Sequence, residues 1–237
     1  MEAMQNEMRF FKKLELSGAT AYILPLKNAV VWYIPNYFSS VDNMVKIGGN
    51  EVNISHIKST GNLMDYILKN LPLVQGEITI YGKKRLEPRL NYACGDVSTH
   101  NYSNKKMVVN PWDRCILDLK TFISLDTQLF YNSSLINYYR DGHDKIGEHS
   151  DKEIAEGMAD AYKTVATYSL GTSRKFRFKG KKADEQGHFE KYELLVKDGD
   201  LLIMGPTCQD HYTHCIPEEA KVKSPRISIT LRYLKSN

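Results

Sequence analysis

The texture of the chain changes after Leu129, and that change limits the fold more than any other feature. From there the sequence runs as short apolar segments cut by turns: Leu135–Tyr139, Thr164–Leu170, Lys175–Phe178, Tyr192–Val196, Asp200–Met204 and Arg226–Tyr233. Each is too short for an ordinary helix and several are rich in β-branched and aromatic residues, which favours strands. Asp141-Gly142, Gly180 and Asp198-Gly199 supply turn signals between them. Many short strands with such punctuation predict a two-sheet sandwich or a double-sheet barrel.

The front of the chain reads differently. Val30–Phe38 predicts a strand ending at a polar turn. Residues 62–71 predict an amphipathic helix, with Leu63, Ile67 and Leu71 on one face and Pro72 to stop it. Glu77–Tyr81 predicts a short strand closed by Gly82. A second helix is expected from about Pro111 to Ser124, with Pro111 in its first turn and Ile116, Leu119 and Ile123 along one side. The class is α+β. The expected division is a flexible N-terminal tail over residues 1–12, a mixed α/β extension over 13–90 and a β-rich core over 91–237, the last as one structural unit. A chain of 237 residues has room for a sizeable core.

Composition excludes little. Hydrophobic residues are 42% and charged residues 25%, an ordinary globular balance, and a formal charge of +4 permits a polyanionic partner without arguing for one. The first residues lack a basic start followed by an apolar run, so no secretory signal is read. The most apolar early stretch, residues 21–38, is broken by Pro25, Lys27 and Pro35 and cannot span a membrane. Four scattered cysteines, Cys94, Cys115, Cys208 and Cys215, read as free thiols of a reducing compartment.

One stretch combines carboxylates with an imidazole. In "NYYRDGHDKIGEHSDKE", His149 and Asp151 are two residues apart, so a strand would present one nitrogen and one oxygen to the same point. Two ligands make a weak site, and an H-x-D pair alone is a common accident. A third ligand is available from His211 or His214 in "CQDHYTHCIP". Two histidines and one carboxylate on one face of an iron leave open positions, the facial arrangement of non-haem Fe(II) oxygenases. A competing reading is a closed zinc site of Cys208, His211, His214 and Cys215. It is awkward, because adjacent His214 and Cys215 would point to opposite faces of a strand.

The last strand, "PRISITLRYL", bears on this choice. Its alternation puts Arg226, Ser228, Thr230 and Arg232 on one face and Ile227, Ile229 and Leu231 on the other. If the polar face is wet, the arginines mean nothing. If it lines a barrel interior, a guanidinium can grip a carboxylate through two parallel hydrogen bonds. Asn137 and Tyr139 share a face of their own strand and can supply amide and phenol contacts to the same ligand.

These segments together resemble the AlkB family of Fe(II)- and 2-oxoglutarate-dependent nucleic-acid demethylases, most of all its eukaryotic nuclear DNA-repair members. "LINYYRDGHDKIGEHSDKE" is similar to the family's N-x-Y-x-D-G-x-D-x-I-x-x-H-x-D-x-E block, "HYTHCIP" to its distal-ligand segment and "SPRISITLRYL" to its ending. "ATYSLGTSRKFRFKGKK", "VKDGDLLIMGPT", "IYGKKRLEPRLNYACGD" and "NPWDRCILDLKTFI" fall in register, so the likeness covers roughly residues 78–237. Three separated motifs in the right order are far more specific than any one of them.

The resemblance implies a double-stranded β-helix, or jelly-roll, core with a nucleotide-recognition extension ahead of it. It makes His149, Asp151 and His214 the ligands of Fe(II), with His211 behind them. It places Arg226 on the distal carboxylate of 2-oxoglutarate, helped by Asn137 and Tyr139, with Ser228 and Arg232 also in that pocket and Arg232 nearer the metal. O2 is the remaining cosubstrate. Glu153 falls at the residue that contacts the flipped base, Tyr81 where relatives carry an apolar wedge, and Tyr102 near the aromatic that stacks on the base. Lys83 and Arg89 join these as substrate contacts. Lys83, Lys84 and Arg85, and a second cluster of Arg174, Lys175, Arg177, Lys179, Lys181 and Lys182, are expected to hold phosphates. Ser228 stands where many relatives carry Asn, which weakens one cosubstrate contact, and Tyr81 is more polar than the wedges of duplex-inserting relatives.

The implied activity is oxidative demethylation of 1-methyladenine and 3-methylcytosine, releasing formaldehyde and succinate. The implied partner is alkylated DNA, single- or double-stranded. RNA demethylation, protein hydroxylation and a non-catalytic metal-binding module are the alternatives. A monomer with no membrane association is expected, in the nucleus of a eukaryotic cell or otherwise in the cytoplasm.

Overall fold

A computed structural model of the chain describes residues 19–47, 50–80, 83–97, 99–102, 105–151 and 159–235. The expected tail over residues 1–12 lies outside these. In chain order the front half runs β1 (Tyr22–Ile23), β2 (Val31–Ile34), β3 (Met44–Ile47), β4 (Asn50–Asn53), α1 (Ser55–Lys58), α2 (Thr60–Asn70), β5 (Val74–Ile80), β6 (Lys83–Gly95), β7 (Thr99–Tyr102), β8 (Lys105–Val108) and α3 (Arg114–Thr127). The rest runs β9 (Ser133–Tyr139), β10 (Ile146–His149), a short 3-10 turn, β11 (Val165–Gly171), β12 (Arg174–Ala183), β13 (Phe189–Val196), β14 (Leu201–Met204), α4 (Cys208–His211), β15 (Tyr212–Ile216) and β16 (Arg226–Arg232).

Both long helices form where the periodicity predicts them. Ser59 caps α2 by accepting from the Asn62 amide, and Leu63 and Ile67 are its buried stripe. It ends at Leu71, held extended at ψ 134 by the following Pro72, as residues before proline are. Helix α3 starts later than expected. Asp113 accepts from the amides of Cys115 and Ile116, so the helix begins at Arg114 and Pro111 lies outside its first turn. Gln128 closes it in the left-handed region at φ 56.

Two antiparallel sheets carry the fold. The larger has the order β1-β2-β14-β11-β16-β9-β6-β5 and the smaller β10-β15-β12-β13. Helices α2 and α3 cover the outer face of the large sheet, where Leu63, Ile67, Ile116 and Leu119 pack with Ile227, Ile229 and Leu231. Between the sheets, Tyr139, Phe176, Phe178, Met204 and Tyr212 form a second cluster. This two-sheet arrangement fits the expected jelly-roll core.

Several expected boundaries shift. The division at 90/91 falls inside β6, and β2 pairs with β14 from Val31↔Met204 to Ile34↔Leu201, so one sheet runs through the expected extension and the expected core. Gly180 is not a turn. It lies within β12, in the stretch between Lys179 and Ala183 where the register to β13 shifts. Asp198-Gly199 is a turn, with Gly199 at φ 76, a conformation that favours glycine.

Candidate metal and cosubstrate site

Every residue of β16 is buried, so its polar face is not a wet one. The register to β9 sets Arg226 beside Tyr139, Ser228 beside Asn137 and Arg232 beside Ser133. Alternation therefore aims Arg226, Ser228, Thr230, Arg232, Asn137 and Tyr139 into the space between the sheets, where all six line one cavity. Thr167 of β11 joins them, and His149, Asp151, Phe176 and His214 close the opposite wall.

His149 ends β10 and pairs in register with His214 of β15, which brings their ring centroids to 4.3 Å. One ligand atom from each of His149, Asp151 and His214 lies within 4.8 Å of the others, and among the described residues no other such group of three or more forms. The competing zinc cluster of Cys208, His211, His214 and Cys215 is not assembled among the described residues. His211 lines a separate groove with Asp210, Lys182 and His188.

The histidines are prepared as ligands. The Nδ1 of His149 lies 2.9 Å from the Gly147 carbonyl, which can only accept, so Nδ1 carries the proton and Nε2 keeps its lone pair. Burial lowers the pKa of His149 below its ordinary value. Burial, with the neighbouring His149 second, pushes His214 down to about 3. Both rings are therefore neutral at physiological pH, the state a metal requires. Phe176 stacks on His214 at 5.4 Å and 12°, which holds its plane. Asp151 forms an ion pair with Arg232 Nη2 at 2.8 Å and lies 3.6 Å from His214 Nε2. Two nitrogens and a carboxylate at this spacing suit a divalent iron.

At the other end Arg226 is buried. Its Nη2 donates to Ser169 Oγ at 3.0 Å and its guanidinium sits 5.4 Å from the Tyr139 ring centroid. Among the described residues Nε and Nη1 find no acceptor, and burial lowers its pKa. A buried cation with unused donors is costly unless an anion meets it. A carboxylate between Arg226 and the triad satisfies both. The donor set thus fits a metal and a dicarboxylate together.

Arg89 is buried rather than presented to solvent. Its Nε donates to Asn137 Oδ1 at 2.9 Å and its Nη2 approaches Glu87 at 3.4 Å. The Asn137 oxygen is therefore taken, and its NH2 group is the one left to face a ligand. Lys83 is exposed on β6, and Lys84 pairs with Glu77 at 3.7 Å. Tyr102 ends β7 in register with Lys105. Tyr81 and Glu153 lie outside the described residues.

Most of the second basic cluster already has partners within the fold. Arg174 is fully buried and spends its guanidinium on Glu219 and three backbone carbonyls. Lys175 and Arg177 pair with Glu193, Lys179 with Glu148, and Lys181 donates to the Gln209 carbonyl. Alternation could have warned of this, since Arg174, Phe176 and Phe178 share a strand face. Ser169 and Thr167 went unnoticed although they alternate together in "VATYSLG". Gln209 carries no sequence signal.

Comparison with known proteins agrees with this geometry. Residues 57–232 match the 2OG-Fe(II) oxygenase superfamily. The chain is 32% identical over 163 residues to the DNA oxidative demethylase ALKBH2 of Bos taurus, covering 65% of this chain and 56% of that protein. It is 32% identical over 151 residues to the alpha-ketoglutarate-dependent dioxygenase alkB homolog 3 of Mus musculus, covering 62% and 51%. The chain thus spans little more than half the length of these two relatives. The solved structure entitled "The structure of OsALKBH1" superposes at TM-score 0.51 and 15% identity, over 89% of this chain and 99% of that one, a likeness of fold.

Proposed function

This chain belongs to the 2OG-Fe(II) oxygenase superfamily and, within it, to the AlkB family, and from that premise we propose that it removes N-methyl groups from damaged bases in DNA. The observation that carries the reading is the pairing of the His149, Asp151 and His214 cluster with the buried Arg226 on one cavity. A metal module without turnover has no need of that arginine.

His149, Asp151 and His214 hold Fe(II). When bound, iron with 2-oxoglutarate and O2 supplies oxidation of the methyl carbon, giving the demethylated base, formaldehyde, succinate and carbon dioxide. Arg226 grips the far carboxylate of 2-oxoglutarate, and the Tyr139 ring beneath it keeps the guanidinium from swinging away. Asn137, oriented by Arg89, donates its NH2 to the same cosubstrate. Ser228 offers a shorter hydroxyl. Arg232 restrains the Asp151 carboxylate and meets the metal end. Leu135, Ile146 and Ile216 line the cavity and exclude water, so oxidation is directed to the bound methyl.

A duplex substrate must present its methyl by flipping the base out, which is easiest where methylation at adenine N1 or cytosine N3 already blocks pairing. Glu153 meets the cationic base, Tyr102 stacks on it and Tyr81 fills the gap. The exposed Lys83 and Lys84 meet phosphates, so the β5–β6 hairpin is the recognition element of the front half. The protein works as a monomer in the nucleus of a eukaryotic cell, or otherwise in the cytoplasm. No helix among the described residues is long and apolar enough to cross a membrane.

The test is incubation with Fe(II), 2-oxoglutarate and single- or double-stranded oligonucleotides carrying 1-methyladenine or 3-methylcytosine, read by mass. Loss of one methyl mass with the wild type and none with His149→Ala is expected. Consumption of 2-oxoglutarate with no change in any DNA would sink the DNA assignment and move it to RNA or protein.

A further inference from the structure

Strand β10 ends at His149, and its last register pair is with His214. Strand alternation was the expected reason for His149 and Asp151 to face one point, yet Asp151 lies beyond the ladder. Its backbone is held another way. The Asp151 N–H donates to Oε1 of Gln209 at 2.8 Å. A backbone N–H can only donate, so the atom facing it must be the side-chain carbonyl, and Nε2 turns to Met204 Sδ at 3.5 Å. Gln209 is itself buried.

Gln209 also occupies a telling place in the chain. It sits in α4, which runs directly into β15 and His214. Its own main-chain carbonyl accepts from Lys181 Nζ at 2.5 Å, fastening α4 to β12. One side chain thus ties the segment that carries one metal ligand to the backbone of another.

We infer that Gln209 is a positioning residue for the metal centre, setting the direction of the Asp151 carboxylate by holding its amide. The inference rests on the metal reading of His149, Asp151 and His214. A group outside the ligand shell that fixes a ligand is worth about 10–100-fold in metal affinity.

The experiment uses the full chain and Co(II) as the probe, titrated through its d–d absorption. Gln209→Met keeps the length but offers only a weak thioether acceptor in place of the amide oxygen, and it is expected to weaken Co(II) binding about tenfold and change the d–d envelope. Gln209→Glu keeps an acceptor at the same reach and is expected to bind at the wild-type level or better. Gln209→Asn falls one methylene short and should behave as Gln209→Met does, which preserves the comparison if the Met variant does not fold. Affinity and spectrum unchanged in a folded Met or Asn variant would overturn the inference, as would a Glu variant as weak as the Met variant. A wild type that binds no Co(II) would overturn the metal reading and this inference with it.

Discussion

Replacing Arg226 with methionine should separate binding from stability. Arg226 is 1% exposed, gives Nη2 to Ser169 and keeps Nε and Nη1 without an acceptor among the described residues. A carboxylate gripped by those two nitrogens makes two charge-assisted hydrogen bonds, each worth about 1.5–3 kcal/mol. Their joint loss is about 3–6 kcal/mol, or roughly two to four powers of ten in 2-oxoglutarate affinity at 1.4 kcal/mol per tenfold. The ligand-free protein should barely notice. Methionine removes a charge that burial disfavours and leaves one serine hydroxyl unbonded, so unfolding free energy should stay within about 1 kcal/mol or rise. The assay is thermal unfolding of Mn(II)-loaded protein with and without 2-oxoglutarate. At a hundred times its Kd the ligand stabilises the wild type by about 2.7 kcal/mol. In a domain of this size that is a shift of about 5–10 °C. The variant should shift by no more than about 1–2 °C at the same concentration. An affinity within tenfold of wild type would refute the carboxylate grip. A loss of several kcal/mol without ligand would mean that Arg226 serves the core instead.

Arg174→Ala should cost about 3–5 kcal/mol in urea unfolding, because it abandons Glu219 and three backbone carbonyls, and a loss below about 1 kcal/mol would contradict that network. Gly142→Ala should destabilise by about 1–3 kcal/mol, since its Cβ would meet the Glu219 carbonyl oxygen at 1.9 Å, whereas Gly147→Ala, with nothing within 4 Å, should stay within about 0.5 kcal/mol. Equal melting temperatures for the two alanine variants would count against this packing. Lys83→Gln with Lys84→Gln should shrink the slope of log K against log salt on duplex DNA by about 0.9 per phosphate contact, about 1.8 for the pair. An unchanged slope would remove the β5–β6 hairpin from the DNA interface.

The strands of the second half and helix α2 were legible because a period of two or of 3.6 is a local property of side-chain order. Their ends were less so. Pro111 looked like a first helical turn, but Asp113 holds two amides and starts α3 at Arg114. Gly180 looked like a turn, but it sits within β12 beside a shift of register. The triad was legible from H-x-D and the later "HYTHCIP", yet the reason offered for it was incomplete, since β10 stops at His149 and Gln209 takes over. The second basic cluster turned out more paired than its sequence suggests, for a related cause. A run of Lys and Arg on a strand does not reveal which members turn inward or which carboxylates wait across the sheet, as Glu193 and Glu148 do.

By itself, then, the sequence determined the texture of the fold, the polar face of β16 and the residue types able to hold a metal. These follow from alternation and chemistry within short segments. Only the tertiary structure decided that this polar face lies between two sheets, that β2 pairs with β14, that Arg89 orients Asn137 and that Arg174 serves the core. Each of those depends on partners far apart in the chain, and a contact between distant residues is set by how the layers close on one another.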